Sequence, residues 1–215
     1  MASVTRRARA ANDADIALSM EERLQLALER LRARGLTITA ISIDALAREA
    51  GIARATFYLH FRDKGELVAR LIARVEDEVV AAGGLWFVHA EDARFEDLRA
   101  AMARFFAAYM KHHAILAAAA ETAPYDNQVA ALHKRMLERL VGESRQAVQR
   151  IDASGRAHAA LPSMVADVLS WSVSHTYVQY GKALNEAERE AFIDTWTHVV
   201  WHSIFATKSD QELTR

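Results

Sequence analysis

Helix breakers are nearly missing from this sequence. Its 215 residues contain two prolines and eight glycines, and the stretches between them are rich in Ala, Leu, Arg and Glu, residues that favour helix. Apolar residues recur at three- and four-residue spacing. No strand alternation, low-complexity tract or internal repeat interrupts them. The expected fold class is all-α. A chain of this length buries a substantial core and fits one large domain or two small ones, two being the expectation here.

Composition removes several function classes. Cysteine is absent, which excludes disulfides, thiolate metal sites and cysteine nucleophiles and fits a cytoplasmic protein. The formal net charge of −1 excludes nucleic-acid binding by bulk positive charge but allows a local patch. No segment approaches the roughly 20 apolar residues needed to cross a bilayer, so no membrane partner is expected.

Residues 1–18 read as a basic flexible arm containing Arg6, Arg7 and Arg9, without apolar periodicity. Ser19-Met-Glu-Glu22 is a capping box that opens a first helix with Leu24, Ala27, Leu28 and Leu31 on one stripe and Gly35 as its stop. Ser42 caps a short second helix, "IDALAREA", which Gly51 ends. A third helix starts near Ala53 or Arg54 and closes by Phe61. Asp63-Lys-Gly-Glu66 then opens a long fourth helix through Leu67, Leu71, Ile72, Val75 and Val79 as far as Gly83-Gly84. Later helices are expected around Phe95–Tyr109, at 127–151, at 163–183 and, capped by Asn185, at 186–206, with "DASGRAHAALP" as a linker.

The segment "GIARATFYLHF", residues 51–61, is too polar to be buried on all sides. At 100° per residue Phe57 and Phe61 share an inward face, and Ala55 and Leu59 fall opposite. Arg54 and Tyr58 form one flank and Thr56 and His60 the other. An apolar strip bordered by hydrogen-bond donors suits a DNA major groove, which offers thymine methyls and base edges between phosphate walls. Lys64 points the same way. A cation in a helix's first turn opposes the macrodipole, at a cost of roughly 0.3–1 kcal/mol, and a phosphate would reverse that sign. Ser42 can add a hydroxyl and an amide contact.

These residues carry a resemblance. "ISIDALAREAGIARATFYLHFRDKGELVARLI" closely resembles the DNA-binding segment of the TetR family of bacterial repressors, chiefly through Thr56-Phe57-Tyr58, Phe61 and Lys64, over about residues 20–75. The resemblance implies a homodimer on a palindromic double-stranded operator, released when a small ligand binds a second domain. It implies phosphate contacts for Thr56, Tyr58 and Lys64, and base-facing positions for Arg54, Ala55, Leu59 and His60. The resulting layout is a flexible arm at 1–18, a helix-turn-helix DNA-binding domain at 19–65, and a larger helical ligand-binding and dimerisation domain at 66–215, joined through the fourth helix.

The second domain is read from periodicity. Phe105, Phe106, Tyr109, Met110, Trp171, His175 and Tyr177 are the candidates for lining a pocket, with Trp86 and Phe87 near its mouth, and their character points to a hydrophobic or aromatic effector. Phe192, Trp196, Val199, Val200 and Ile204 are the candidates for an isologous interface of the last two helices. Asp194, His198 and His202 have i, i+4, i+8 spacing, which reads as a surface or interfacial histidine pair; no metal or cofactor is expected. No nucleophile elbow, glycine-rich phosphate loop or His-Glu-x-x-His motif suggests an enzyme. An all-helical protein-interaction adaptor is the alternative function. It leaves Thr56, Tyr58 and Lys64 together unexplained.

Overall fold

The computed structural model describes residues 19–159 and 161–206, with Leu85 by its backbone alone. The proposed arm, with Arg6, Arg7 and Arg9, lies outside the described residues. All regular structure among the described residues is helical. The chain divides after Leu67 into two compact units.

In the first unit, α1 spans Met20–Ala33, α2 Ile43–Glu49 and α3 Arg54–His60. The Ser19 hydroxyl accepts from the Glu22 amide at 3.2 Å and Glu22 accepts from the Ser19 amide at 2.7 Å, the two reciprocal bonds of a capping box. Leu24, Ala27, Leu28 and Leu31 are buried along one face of α1. Ser42 caps α2 by accepting from the Ala45 amide at 3.1 Å. Gly51 takes φ +65°, a left-handed conformation that reverses the chain into α3 and that a side chain would strain. The Arg23 guanidinium clamps this turn by donating to the Ala50 carbonyl at 2.9 Å and the Gly51 carbonyl at 2.7 Å.

Helix α4, Lys64–Ala81, begins in the first unit and continues into the second. Asp63 accepts from the Glu66 amide at 2.9 Å, and the Glu66 carboxylate accepts from the Arg62 amide at 2.9 Å.

The second unit continues with α5 (Leu85–Val88), α6 (Phe95–Lys111), α7 (His113–Thr122), α8 (Asn127–Ala153), α9 (Val165–Tyr180), a short 3₁₀ turn at Gly181–Ala183, and α10 (Glu186–Ile204). Asn185 and Glu188 form the expected capping box of α10. The core is aromatic. Fully buried Tyr177 packs edge-on against Tyr109 at 5.6 Å and Phe106 at 5.4 Å, a geometry that matches ring edges to ring faces. The expected linker is pinned in place: Arg156 donates to the carbonyls of Glu91 and Ala93, and the His158 amide donates to Ile204 at 3.0 Å.

Glu76 on α4 is buried and accepts from Arg139 at 2.9 Å and Arg135 at 3.1 Å on α8. Burial pushes its pKa up, but the hydrogen bonds and charges of the two arginines prevail and hold it below the ordinary glutamate value. A depressed folded-state pKa contributes stability that is full above the unfolded value and is lost as pH falls through the folded one. Glu76→Gln is therefore expected to flatten the acid limb of a stability profile below about pH 4.5, measured by urea unfolding across pH.

Candidate nucleic-acid interface and ligand cavity

Helix α3 is held from one side only. Phe57 and Phe61 are buried, their rings 5.3 Å apart. The opposite surface is open: Leu59 is 81% exposed and Tyr58 46%, Arg54, Ala55 and His60 are exposed, and Thr56 is half-buried. Ser42 is exposed at the start of α2. The predicted DNA-facing set on α3 thus shares one surface. Sequence reading missed how Arg54 is held. Its guanidinium donates to both carboxylate oxygens of Asp44, at 3.0 and 3.2 Å, and lies 5.5 Å from the Tyr58 ring centroid. Tyr58 and then Asp44 raise its pKa, so it carries a full positive charge.

Lys64 departs from expectation. Its ammonium donates to the carbonyls of Ile38 at 2.7 Å, Thr39 at 3.3 Å and Ile41 at 2.6 Å. Three donors meet three carbonyls, so the cation is a clasp on the turn before α2. The unfavourable macrodipole position is offset inside the fold and needs no phosphate to explain it. Burial lowers the pKa of this lysine; the carbonyl dipoles act against that pull.

The second unit contains a cavity of about 60 Å³. Trp86 and Phe87 of α5 line it with Met102, Phe105 and Tyr109 of α6; α8 adds Leu140 and Ser144, α9 adds Ser170, Val173 and Ser174, and α10 adds Val200 and Ile204. Gly83 permits the wall: a Cβ there would sit 2.3 Å from the Phe87 ring. Burial raises the Tyr109 phenol to about 12, so it stays neutral.

The structure sorts two sets of sequence assignments by position. Phe105 and Tyr109 line the cavity, but Phe106, Met110, Trp171, His175 and Tyr177 do not. Trp171 and His175 lie on the exposed face of α9, Trp171 at 47%, while Phe106 and Tyr177 pack on one another and on Phe192 as core. Met110 abuts Gly181. Of the interface candidates, Val200 and Ile204 are buried and face the cavity, Phe192 packs on Tyr177, Trp196 is half-buried, and Val199 is 41% exposed. The buried stripe of α10 is Ile193, Thr197, Val200 and Ile204. Thr197 obscured it in the sequence because its hydroxyl, satisfied by the Ile193 carbonyl at 2.8 Å, does not read as core. Asp194 accepts from Arg99 at 2.6 Å and the His198 and His202 rings stack at 5.6 Å; no metal-holding cluster occurs among the described residues. The cavity serines were also missed. Their trace in the sequence is the i, i+4 spacing of Ser170 and Ser174 on an otherwise apolar helix.

Residues 24–71 match the model of the family described as bacterial regulatory proteins, tetR family. No curated protein matches the chain. Among solved structures, a tetR-family bacterial regulatory protein from Rhodococcus superposes with a TM-score of 0.68 at 11% identity, over 89% of this chain and all of that one. The TetR family transcriptional regulator PfmR from Thermus thermophilus gives 0.67 at 15% identity, over 84% and 97%. NalD, the secondary repressor of the MexAB-OprM multidrug efflux pump in Pseudomonas aeruginosa, gives 0.59 at 12%, over 86% and 97%. At these identities the likeness is one of fold: residues 24–71 match the tetR family's model, and the all-helical chain is similar in fold to regulators of that family.

Proposed function

We propose that the protein is a ligand-responsive repressor that binds a palindromic operator as a homodimer and leaves it when a small apolar effector enters the C-terminal cavity. The observation that carries the DNA-binding part is the outer face of α3, where exposed Leu59 and Tyr58 lie with Arg54, Thr56 and His60 opposite buried Phe57 and Phe61. An exposed leucine flanked by donors is poorly matched to water and well matched to a major groove floor. Residues 19–65 hold DNA and 66–215 hold the ligand and the partner. Repression, as in the fold neighbour NalD, follows when the operator overlaps a promoter. No helix among the described residues is long and apolar enough to cross a membrane, and the site of action in this reading is the cytoplasm.

The dimer reading rests on apolar side chains left open to solvent. Val168 is 58% and Trp171 47% exposed on α9, and Val199 is 41% exposed on α10, which packs beside α9. A second copy covering these residues about a twofold axis buries them on both chains at once. Two recognition helices roughly 34–36 Å apart then meet successive major grooves. Helix α4 couples the events: it runs from Lys64 in the first unit into the second, and a ligand that favours one of its positions shifts the population of DNA-binding dimers.

Gel shift of the purified protein on the DNA upstream of its own gene, across a salt series, tests this reading. A specific band that weakens steeply with salt is expected; absence of specific binding there and in selection from random DNA would sink it. Tyr58→Phe, which removes one hydroxyl contact, is expected to weaken operator binding by about tenfold at unchanged helicity. Trp171→Glu is expected to turn the dimer into monomer in sedimentation and to lower operator affinity with it.

A further inference from the structure

The cavity in the second unit has a chemical polarity of its own. Its aromatic and aliphatic wall is interrupted at one side by three serines on two helices, Ser144 of α8 and Ser170 and Ser174 of α9. The direction of their hydrogen bonds matters. Ser170 donates to the Ser144 oxygen at 2.9 Å, and Tyr109 donates to the Ser174 oxygen at 2.8 Å. Ser144 and Ser174 therefore act as acceptors, and no acceptor among the described residues takes the proton of either. Two hydroxyl donors are left at the cavity wall. Among the described residues, no charged side chain or histidine lines the space.

Each feature selects a ligand property. Two unused donors, one on buried Ser174 and one on half-buried Ser144, call for an accepting oxygen, because a hydroxyl shielded from water without a partner costs free energy that such an atom recovers. A carboxylate would enter with no cation to meet it, and an ammonium with no anion, so a charged ligand pays its desolvation without return. The cavity of about 60 Å³ has room for roughly four to six waters, and bonded carbons pack closer than waters, so a single substituted ring is the matching size. Phe87 and Phe105, whose rings meet at 66°, and Trp86 present faces and edges to that ring.

We propose that the ligand of this cavity is an uncharged, single-ring molecule bearing one hydrogen-bond-accepting oxygen, such as a ketone, ester or lactone, held by the Ser144 and Ser174 hydroxyls. The proposal rests on the reading of the cavity as the effector site and specifies its chemistry.

Isothermal titration of the full-length protein with three probes of nearly one shape tests it: acetophenone, ethylbenzene, which lacks the acceptor, and benzoate, which carries charge. Acetophenone is expected to bind about tenfold more tightly than either of the others, the worth of one or two neutral hydrogen bonds. In the double variant Ser144→Ala, Ser174→Ala, acetophenone affinity is expected to fall to that of ethylbenzene, and retained ethylbenzene binding reports an intact cavity. Equal or tighter binding of benzoate, equal binding of ethylbenzene, an undiminished preference in the double variant, or no binding of any probe would each overturn the proposal. The same probes added to an operator gel shift separate the two readings: acetophenone that binds as expected but leaves the operator complex intact sustains the ligand class and removes the effector role.

Discussion

Phe57→Ala is expected to destabilise the N-terminal unit by about 3–5 kcal/mol, the usual cost of emptying a buried aromatic site. Phe57 is fully buried and contacts the rings of Phe61 at 5.3 Å and Tyr58 at 5.6 Å. It is the anchor of a seven-residue helix with no side-chain cap at its N-terminus, which is far too short to persist by its own hydrogen bonds. Removing the ring takes away what holds α3 in place, and operator binding goes with it. Leu59→Ala, two residues along the same helix, is the matched control. With Leu59 81% exposed, stability should change by less than about 0.5 kcal/mol while operator affinity falls. Urea unfolding followed by circular dichroism, beside gel shifts, reads both. A Phe57→Ala protein as stable as the parent would show that α3 does not depend on this face.

Lys64→Met separates two accounts of one residue. Methionine keeps the apolar stem and deletes the ammonium. If Lys64 served only as a phosphate contact, removing a cation from the first turn of α4 would relieve the macrodipole and stabilise the free protein by roughly 0.3–1 kcal/mol. The structure instead has the ammonium satisfying three carbonyls, those of Ile38 and Ile41 at 2.7 and 2.6 Å and that of Thr39. Losing the bond to the partly buried Ile41 carbonyl alone costs about 1–3 kcal/mol. The expected result is therefore destabilisation of that size, with weaker operator binding following from a loosened turn before α2. The sign of the stability change decides between the accounts.

The contrast between Phe57 and Lys64 also shows what could be read early. Phe57 was legible because a seven-residue helix offers one inward face and the i, i+4 pair with Phe61 marks it. The clasp made by Lys64 is not legible in the sequence because its partners are backbone carbonyls 23 to 26 positions earlier, and no side-chain pattern announces a carbonyl. The Arg54–Asp44 pair is hidden for a different reason: it joins side chains ten residues apart on two helices, and only the turn between them brings them together. In the second unit, periodicity found the helices but misplaced their faces. Phe106 and Tyr177 look like pocket residues because they are aromatic, whereas Ser144, Ser170 and Ser174 look like surface.

By itself the sequence determined the helical class, the caps at Ser19, Ser42 and Asn185, the turn at Gly51 and the outward face of α3, since each depends on residues within one or two helical turns of each other. The tertiary structure alone decided what Lys64 holds, which stripe of α10 turns inward, and which side chains surround the cavity. Those outcomes depend on the rotation of a helix about its axis relative to neighbours far away in the chain, and a helix with apolar residues on two adjacent stripes, as at Phe192–Trp196 and Ile193–Val200, has no local term that selects between them.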